Sequence, residues 1–339
     1  MPELLTQNDA ERRKVNADTW HAAGYSGTGT TLVCIDDKSA PHAHMASYAE
    51  SPHLDAGSVV GHGTNVAQCA HEFAPGARVV LVRSNDEGRQ WIRDNAADID
   101  VINVSRSAGR HLAEYSYGFL ESFDIPVVCS SGNDGDDRVN YPSRFEWTLS
   151  IGALEEDGEM ADYSNGGERL DCVAPTDIYV LNSEKRPHKF NGTSASAPAT
   201  SGLLACYVQW RHKHGRGRLT TEDARQFIRE NCEEIEGYAY GAGLFCLPAE
   251  LPDVPESDEK SSEDREENPK EEDDEMVKEP KEFTDVPADF WAYDDIQLCV
   301  QHGLVSGYED GSFDPNGGLT RAQYCAIKAA EIRAEQADD

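Results

Sequence analysis

No stretch of the 339 residues approaches the roughly 18 to 20 consecutive apolar residues that a membrane-spanning helix requires. The opening residues Met1 to Asn16 are polar and hold no apolar run of signal-peptide type, so nothing in the chain as given directs export and synthesis in the cytoplasm is expected. Basic residues are scarce: 30 Lys+Arg stand against 63 Asp+Glu, a formal net charge of −33 with a pI near 4.5. So few cations argue against a general nucleic-acid binder or an anionic membrane-surface protein, because both recruit clustered Lys and Arg against phosphate. The nine cysteines are odd in number, include no CxxC pair and lie mostly in apolar stretches such as 32–35. They read as buried thiols of a reduced compartment, and the spacing speaks against cysteine-ligated zinc.

What is present is enough apolar material for a substantial core, 38% of residues, over a length suited to about two domains. Residues 251–282 hold 15 acidic and 5 basic residues, four prolines and almost no large apolar side chains. Such a segment buries too little surface to offset its ordering entropy, so it is expected to be a disordered acidic linker. Its charge serves either solvation alone or recognition as an acidic tail. The expected division is a catalytic domain over residues 1–249, the linker over 250–282 and a small module over 283–339.

Before the linker, short β-branched runs alternate with longer amphipathic stretches, the pattern of an α/β domain with a mainly parallel sheet. Strands are expected over 31–35, 78–82, 101–104, 126–129, 148–152 and 172–174. Helices are expected over 15–22, 63–71, 90–97, 111–122, 194–212 and 221–231, the last opened by hydroxyl caps and acids at Thr220-Thr221-Glu222-Asp223.

Four short motifs follow in one order: Cys34-Ile35-Asp36-Asp37 at a strand end, Gly61-His62-Gly63-Thr64 opening a helix, Ser131-Gly132-Asn133 after a later strand, and Gly192-Thr193-Ser194 opening another helix. Carboxyl ends of parallel strands are where open α/β sheets build sites, so these groups can converge. A serine hydroxyl becomes a useful nucleophile when an imidazole takes its proton, and a carboxylate fixes that imidazole's tautomer and stabilises its charged form. A side-chain amide and helix N-terminal N–H groups suit a developing oxyanion. Singly each motif is weak; the ordered set Asp36, His62, Asn133 and Ser194 carries the argument. This chemistry calls for no cofactor and no metal.

The ordered motifs resemble those of the subtilisin-like serine proteases, the subtilases, from about Trp20 to Leu247. Supporting stretches are Gly27-Thr28-Gly29, Phe73-Ala74-Pro75-Gly76-Ala77, Val101-Ile102-Asn103-Val104-Ser105, Tyr141-Pro142-Ser143, Tyr163-Ser164-Asn165 and Gly241-Ala242-Gly243-Leu244. The resemblance implies a three-layer subtilisin-like fold, an Asp36–His62–Ser194 triad, Asn133 as oxyanion donor, and substrate binding along Ser105, Arg106, Ser107, Ser131 and Gly132. Asp37 is then only the neighbour of the triad aspartate.

Departures from the family pattern carry expectations of their own. Lys38 follows Asp37 where glycine is usual, and Ser105-Arg106-Ser107-Ala108 replaces a glycine-bearing edge strand, which predicts altered peptide affinity. Arg106 either meets an acidic substrate side chain, pairs with Asp134, or lies on the surface without a role. The short 133–141 interval predicts a truncated specificity-pocket wall. The 62–75 stretch lacks the calcium-binding loop of many relatives, so no tight calcium site is expected there. The usual N-terminal inhibitor-chaperone domain is also missing, as in intracellular relatives or after removal. His42 and His44 are either a metal-binding pair or solvent-facing loop residues. The basic run from Arg211 to Arg218 either caps a helix C-terminus or binds phosphate.

Beyond the linker, Phe283-Thr284-Asp285-Val286, Asp289-Phe290-Trp291-Ala292, Asp310-Gly311-Ser312-Phe313-Asp314-Pro315 and Leu319-Thr320-Arg321-Ala322 resemble one S-layer homology (SLH) motif, a small mostly α-helical module. The resemblance implies cell-wall polysaccharide binding with Trp291 and Arg321 at the saccharide, self-association into a trimer, or a relic. It points to a cell-surface destination if the protein is released. A serine endopeptidase is thus expected. Its rivals are a catalytically impaired peptide-binding protein and a glycan anchor that displays the protease domain.

Overall fold

A computed structural model describes residues 4–252, together with Phe283, Thr284, Ile296 and Phe313; of residue 238 it describes the backbone alone. The chain divides into two units, Met1–Ser257 and Asp258–Asp339. In the second, Phe283 and Phe313 meet at 5.0 Å between ring centroids, while Trp291, Arg321 and the expected linker beyond residue 252 lie outside the described residues.

The elements of the first unit run α1 (Asp9–Lys14), α2 (Ala17–Ala22), β1 (Thr31–Asp36), β2 (Ala49–Glu50), α3 (His62–Phe73), β3 (Arg78–Arg83), α4 (Asp86–Asn95), β4 (Val101–Val104), α5 (Arg110–Tyr117), β5 (Val127–Ser130), β6 (Leu149–Leu154), β7 (Cys172–Pro175), β8 (Ile178–Leu181), β9 (Pro187–Phe190), α6 (Thr193–Lys213), α7 (Thr221–Glu230), β10 (Cys232–Glu233) and β11 (Leu244–Phe245). Among the described residues, one nine-stranded sheet has the order β10-β11-β7-β6-β5-β4-β1-β3-β2. Every neighbour pair in it is parallel except β10–β11.

Strand β1 is buried on both faces, and its alternation divides the core. Leu32 and Cys34 join Val66, Phe73, Leu203 and Trp20 on the face covered by α3 and α6. Val33 and Ile35 join Ile92, Tyr117 and Leu120 on the face covered by α4 and α5. All six expected strands are present, that over 101–104 with the same bounds and the others with ends moved by one or two residues. Helix α7 begins as expected, the Thr220 hydroxyl accepting from the Asp223 N–H at 3.1 Å.

Three expectations change. The helix expected over 15–22 starts at Ala17, because Asn16, with a left-handed φ of 60°, separates it from an additional helix, α1. The stretch over 111–122 is helical only to Tyr117 and tightens into a 3-10 turn over Gly118–Phe123. The antiparallel hairpin β8–β9 was not anticipated, because Pro187-His188-Lys189-Phe190 is mostly exposed and lacks an apolar run. The basic run after α6 turns back on itself: Arg211 donates to the Gly217 carbonyl and Arg218 to the Ala96 carbonyl.

Candidate active site

Asp36 terminates β1 with its side chain fully buried. One carboxylate oxygen, Oδ2, lies 2.8 Å from His62 Nδ1. The other, Oδ1, accepts the Asp37 backbone N–H at 2.8 Å and the Arg106 guanidinium at 3.2 Å. His62 is the first residue of α3, its imidazole is 37% exposed, and the ring edge rests on Phe190 of β9 at 5.4 Å between centroids. The contact with Asp36 requires Nδ1 to be the donor, which leaves Nε2 for a second partner.

Ser194 is the second residue of α6 and half-buried. Pro198, four residues on, has no N–H to give the Ser194 carbonyl, so this helix begins with a carbonyl lacking its usual partner. The Ser105 hydroxyl donates to that carbonyl at 3.2 Å and itself accepts from Asn103 Nδ2 at 2.9 Å. In return the Ser194 hydroxyl donates to the Ser105 carbonyl at 3.3 Å. The segment after β4 and the start of α6 are thereby clamped in both directions.

Asn133 follows β5 and is exposed. Its Oδ1 accepts both the Thr193 N–H at 3.0 Å and the Thr193 hydroxyl at 2.9 Å. A backbone N–H can only donate, so this pair fixes the amide's orientation and leaves Nδ2 as its free donor edge. Gly192 has a φ of +86°, and a Cβ there would lie 3.2 Å from Asn133 Nδ2, so any other residue would be strained and would crowd the amide. The Gly192 N–H donates to the Tyr163 hydroxyl and its carbonyl accepts from the Thr176 hydroxyl, both at 3.2 Å.

Among the other expected substrate residues, Ser107 is exposed beside Arg106, while Ser131 and Gly132 are buried. The Ser131 hydroxyl donates to the Asn165 carbonyl at 2.8 Å, and Asn165 Oδ1 accepts the N–H groups of Asp134 and Asp136 at 2.8 and 3.2 Å. Asn165 thus holds the loop that presents Asn133, an organising role that its motif did not reveal. Ser105 turns its hydroxyl inward rather than to the cleft.

Arg106 does not pair with Asp134, which instead accepts from Asn140 at 2.6 Å and Asn165 at 3.3 Å. It lies against Asp36 and Asp37, its NH1 nitrogen 3.2 Å from an oxygen of each. Burial opposes the charge on Arg106, but Asp36, Tyr117 and Asp37 together favour it and raise its pKa above the usual value. No residue type or spacing signalled this contact, which depends on strands distant in the chain becoming neighbours.

No group of three or more His, Cys, Asp or Glu able to hold a metal occurs among the described residues. His42 and His44 stack at 5.0 Å between ring centroids, and His42 is buried rather than solvent-facing. The described cysteines are free thiols, and burial pushes Cys34, Cys69, Cys129 and Cys206 well above the usual thiol range. They are protonated and poor nucleophiles, which leaves Ser194 as the site's nucleophilic candidate.

A model of the subtilase family matches residues 18–270, and a model of the S-layer homology domain matches residues 282–325. Alkaline elastase YaB of Bacillus sp. (strain YaB) is 26% identical over 223 residues, which cover 58% of each chain. Subtilisin E of Bacillus subtilis (strain 168) is 25% identical over 274 residues, 70% of this chain and 69% of its own. The chain therefore spans between about three-fifths and two-thirds of these relatives. Among solved structures, the self-cleaved protease domain of PatA matches with a TM-score of 0.56 at 20% identity, covering 65% of this chain and 94% of that one. The prenylagaramide maturation protease PagA matches with a TM-score of 0.59 at 17% identity, covering 68% and 94%. At these identities the structural likeness establishes the fold.

Proposed function

Since the chain belongs to the subtilase family, we propose that it is a serine endopeptidase that hydrolyses peptide bonds through an acyl-enzyme on Ser194. The observation that carries this reading is the 2.8 Å contact between His62 Nδ1 and the fully buried Asp36, made at the end of β1 where α3 begins. Catalysis requires the Ser194 hydroxyl to leave the Ser105 carbonyl and meet His62 Nε2. The imidazole then takes the hydroxyl proton as Oγ attacks the substrate carbonyl, and returns it to the leaving amine. Asp36 holds the tautomer and offsets the imidazolium charge. Asn133 Nδ2 and the N–H groups at the start of α6 stabilise the oxyanion.

The SLH segment adds a second part to the proposal: the enzyme is joined through the acidic linker to a module for cell-wall glycan binding or oligomerisation, with Trp291 and Arg321 at the saccharide. The proposed units are residues 1–249, 250–282 and 283–339. Light scattering on the full chain and on a chain ending at residue 282 distinguishes a trimer-forming module from a glycan-binding one.

One observation favours a second reading, a peptide-binding protein with impaired turnover: the Ser194 hydroxyl is engaged by the Ser105 carbonyl. An alkyl fluorophosphonate decides between them, since it forms a covalent adduct with an activated serine. Labelling of the wild type and none of Ser194→Ala supports the endopeptidase; a folded wild type that takes no label supports the impaired protein.

A further inference from the structure

The Arg106 guanidinium reaches the side of Asp36 that His62 does not use. A single nitrogen, NH1, lies 3.2 Å from Asp36 Oδ1 and 3.2 Å from Asp37 Oδ2, while the opposite oxygen of Asp36 meets His62. Asp36 is fully buried, whereas Arg106 and the His62 imidazole are 39% and 37% exposed, so the guanidinium acts on the imidazole chiefly through the carboxylate that both touch. Resting on the triad reading above, we propose that Arg106 is a positioning residue that locks the Asp36 carboxylate against His62 and places a fixed positive charge behind it.

Three consequences follow from charge and geometry. First, with Oδ1 held by Arg106 and the Asp37 N–H, the carboxylate has only one orientation in which Oδ2 faces His62 Nδ1. Second, the guanidinium balances the charge of a fully buried carboxylate from the side opposite the imidazole, so that charge is compensated without His62. Third, Arg106 is already committed to Asp36 and Asp37, so it is not a free cation awaiting an acidic substrate side chain. Among the described residues, the charged or titratable groups facing Arg106 are Asp36 and Asp37 at the end of β1 and Tyr117 on α5; burial keeps Tyr117 protonated, with its pKa pushed up to about 12. His62 itself faces Asp36 and the apolar ring of Phe190.

The test compares the wild type with Arg106→Met, which keeps the aliphatic stem and removes the charge, and Arg106→Lys, which restores a cation. Because one nitrogen makes both contacts, an ammonium can stand in for it. In the full chain, the NMR resonance of the His62 Nδ1 proton reports its hydrogen bond to Asp36; in Arg106→Met it should move upfield and broaden as the loosened carboxylate lets the proton exchange with solvent. Arg106→Lys should return most of the way to the wild-type resonance. The fluorophosphonate labelling rate should fall about 3- to 10-fold in Arg106→Met and recover in Arg106→Lys. An Nδ1 proton resonance in Arg106→Met that matches the wild type would overturn the proposal, as would a shift that Arg106→Lys leaves uncorrected. The two proposals fail separately. Loss of labelling in the wild type removes the acyl-enzyme reading, whereas the Nδ1 proton resonance decides the role of Arg106 whether or not Ser194 reacts.

Discussion

Asn133 illustrates how a single side chain is prepared for its task. Its carbonyl oxygen is saturated by Thr193, so the amide cannot turn over without giving up two hydrogen bonds, and Nδ2 stays directed into the site. Asn133→Ala should leave the fold intact, because the residue is exposed. Its fluorophosphonate labelling rate, or peptide turnover once a substrate is found, should fall by about 10² to 10³. A loss of less than tenfold would remove Asn133 from the oxyanion site. The type and order of Asp36, His62, Asn133 and Ser194 were legible in the sequence, since each sits in a short motif whose neighbours have a local job: glycine for close approach, threonine for a cap. Arg106 was legible only as a departure from the family pattern, and Phe190 was not legible at all, because neither owes its position to its own neighbours in the chain.

Elements, rather than residues, set the spacing between the proposed base and nucleophile. His62 opens α3 and Ser194 opens α6, and the two helices pack on the same face of the sheet. They approach closely at Gly202, where an added Cβ would stand 2.8 Å from the Ala70 carbonyl oxygen and 2.8 Å from Phe73 Cβ. Backbone lies on one side of that gap and cannot yield cheaply, so Gly202→Ala should destabilise the fold by about 1 to 3 kcal/mol. Urea unfolding measures that loss. The displaced helix pair should also slow labelling at Ser194, although residue 202 lies two turns from the nucleophile. Wild-type stability and rate in this variant would show that the pair can adapt. The long amphipathic helices and the buried strands were readable because their periodicity is strong. The breaks at Asn16 and Tyr117 and the exposed β9 were not, since a turn or an edge strand leaves little apolar pattern.

For the whole molecule, acidification is the informative stress. His71 on α3 is 3% exposed, stacks on Tyr48 at 3.5 Å between ring centroids, and has no hydrogen-bond partner at either ring nitrogen. Burial, with a smaller contribution from His21, pushes its pKa down to about 3. The unfolded chain has an ordinary histidine near 6.5. Between those two values the unfolded state binds a proton that the folded state refuses. The His71 contribution to stability is therefore complete above about pH 6.5 and is lost as pH falls, by up to about 1.4 kcal/mol per unit. His71→Phe keeps the stack and removes the titration, so its thermal midpoint should fall by about 3 °C less than the wild type's between pH 7.5 and 5.5. Equal falls would assign the acid sensitivity to the carboxylates instead. Of the net −33, a share of −10 lies in residues 251–282 and −23 over the rest of the chain, a distribution suited to solubility rather than to any one binding surface.

By itself the sequence determined the alternation of strands and helices, the family, and the four side chains proposed as base, acid, nucleophile and amide donor, because each is written in local pattern and order. Tertiary structure alone decided what stands behind the aspartate. Cys34 pairs with Asn103 where β1 lies beside β4. The chain leaves β4 at Val104, beside the end of β1, and that adjacency brings Arg106, 70 residues away in the chain, within hydrogen-bond distance of the Asp36 carboxylate. Strand adjacency and register are properties of the closed sheet, and no local pattern encodes them.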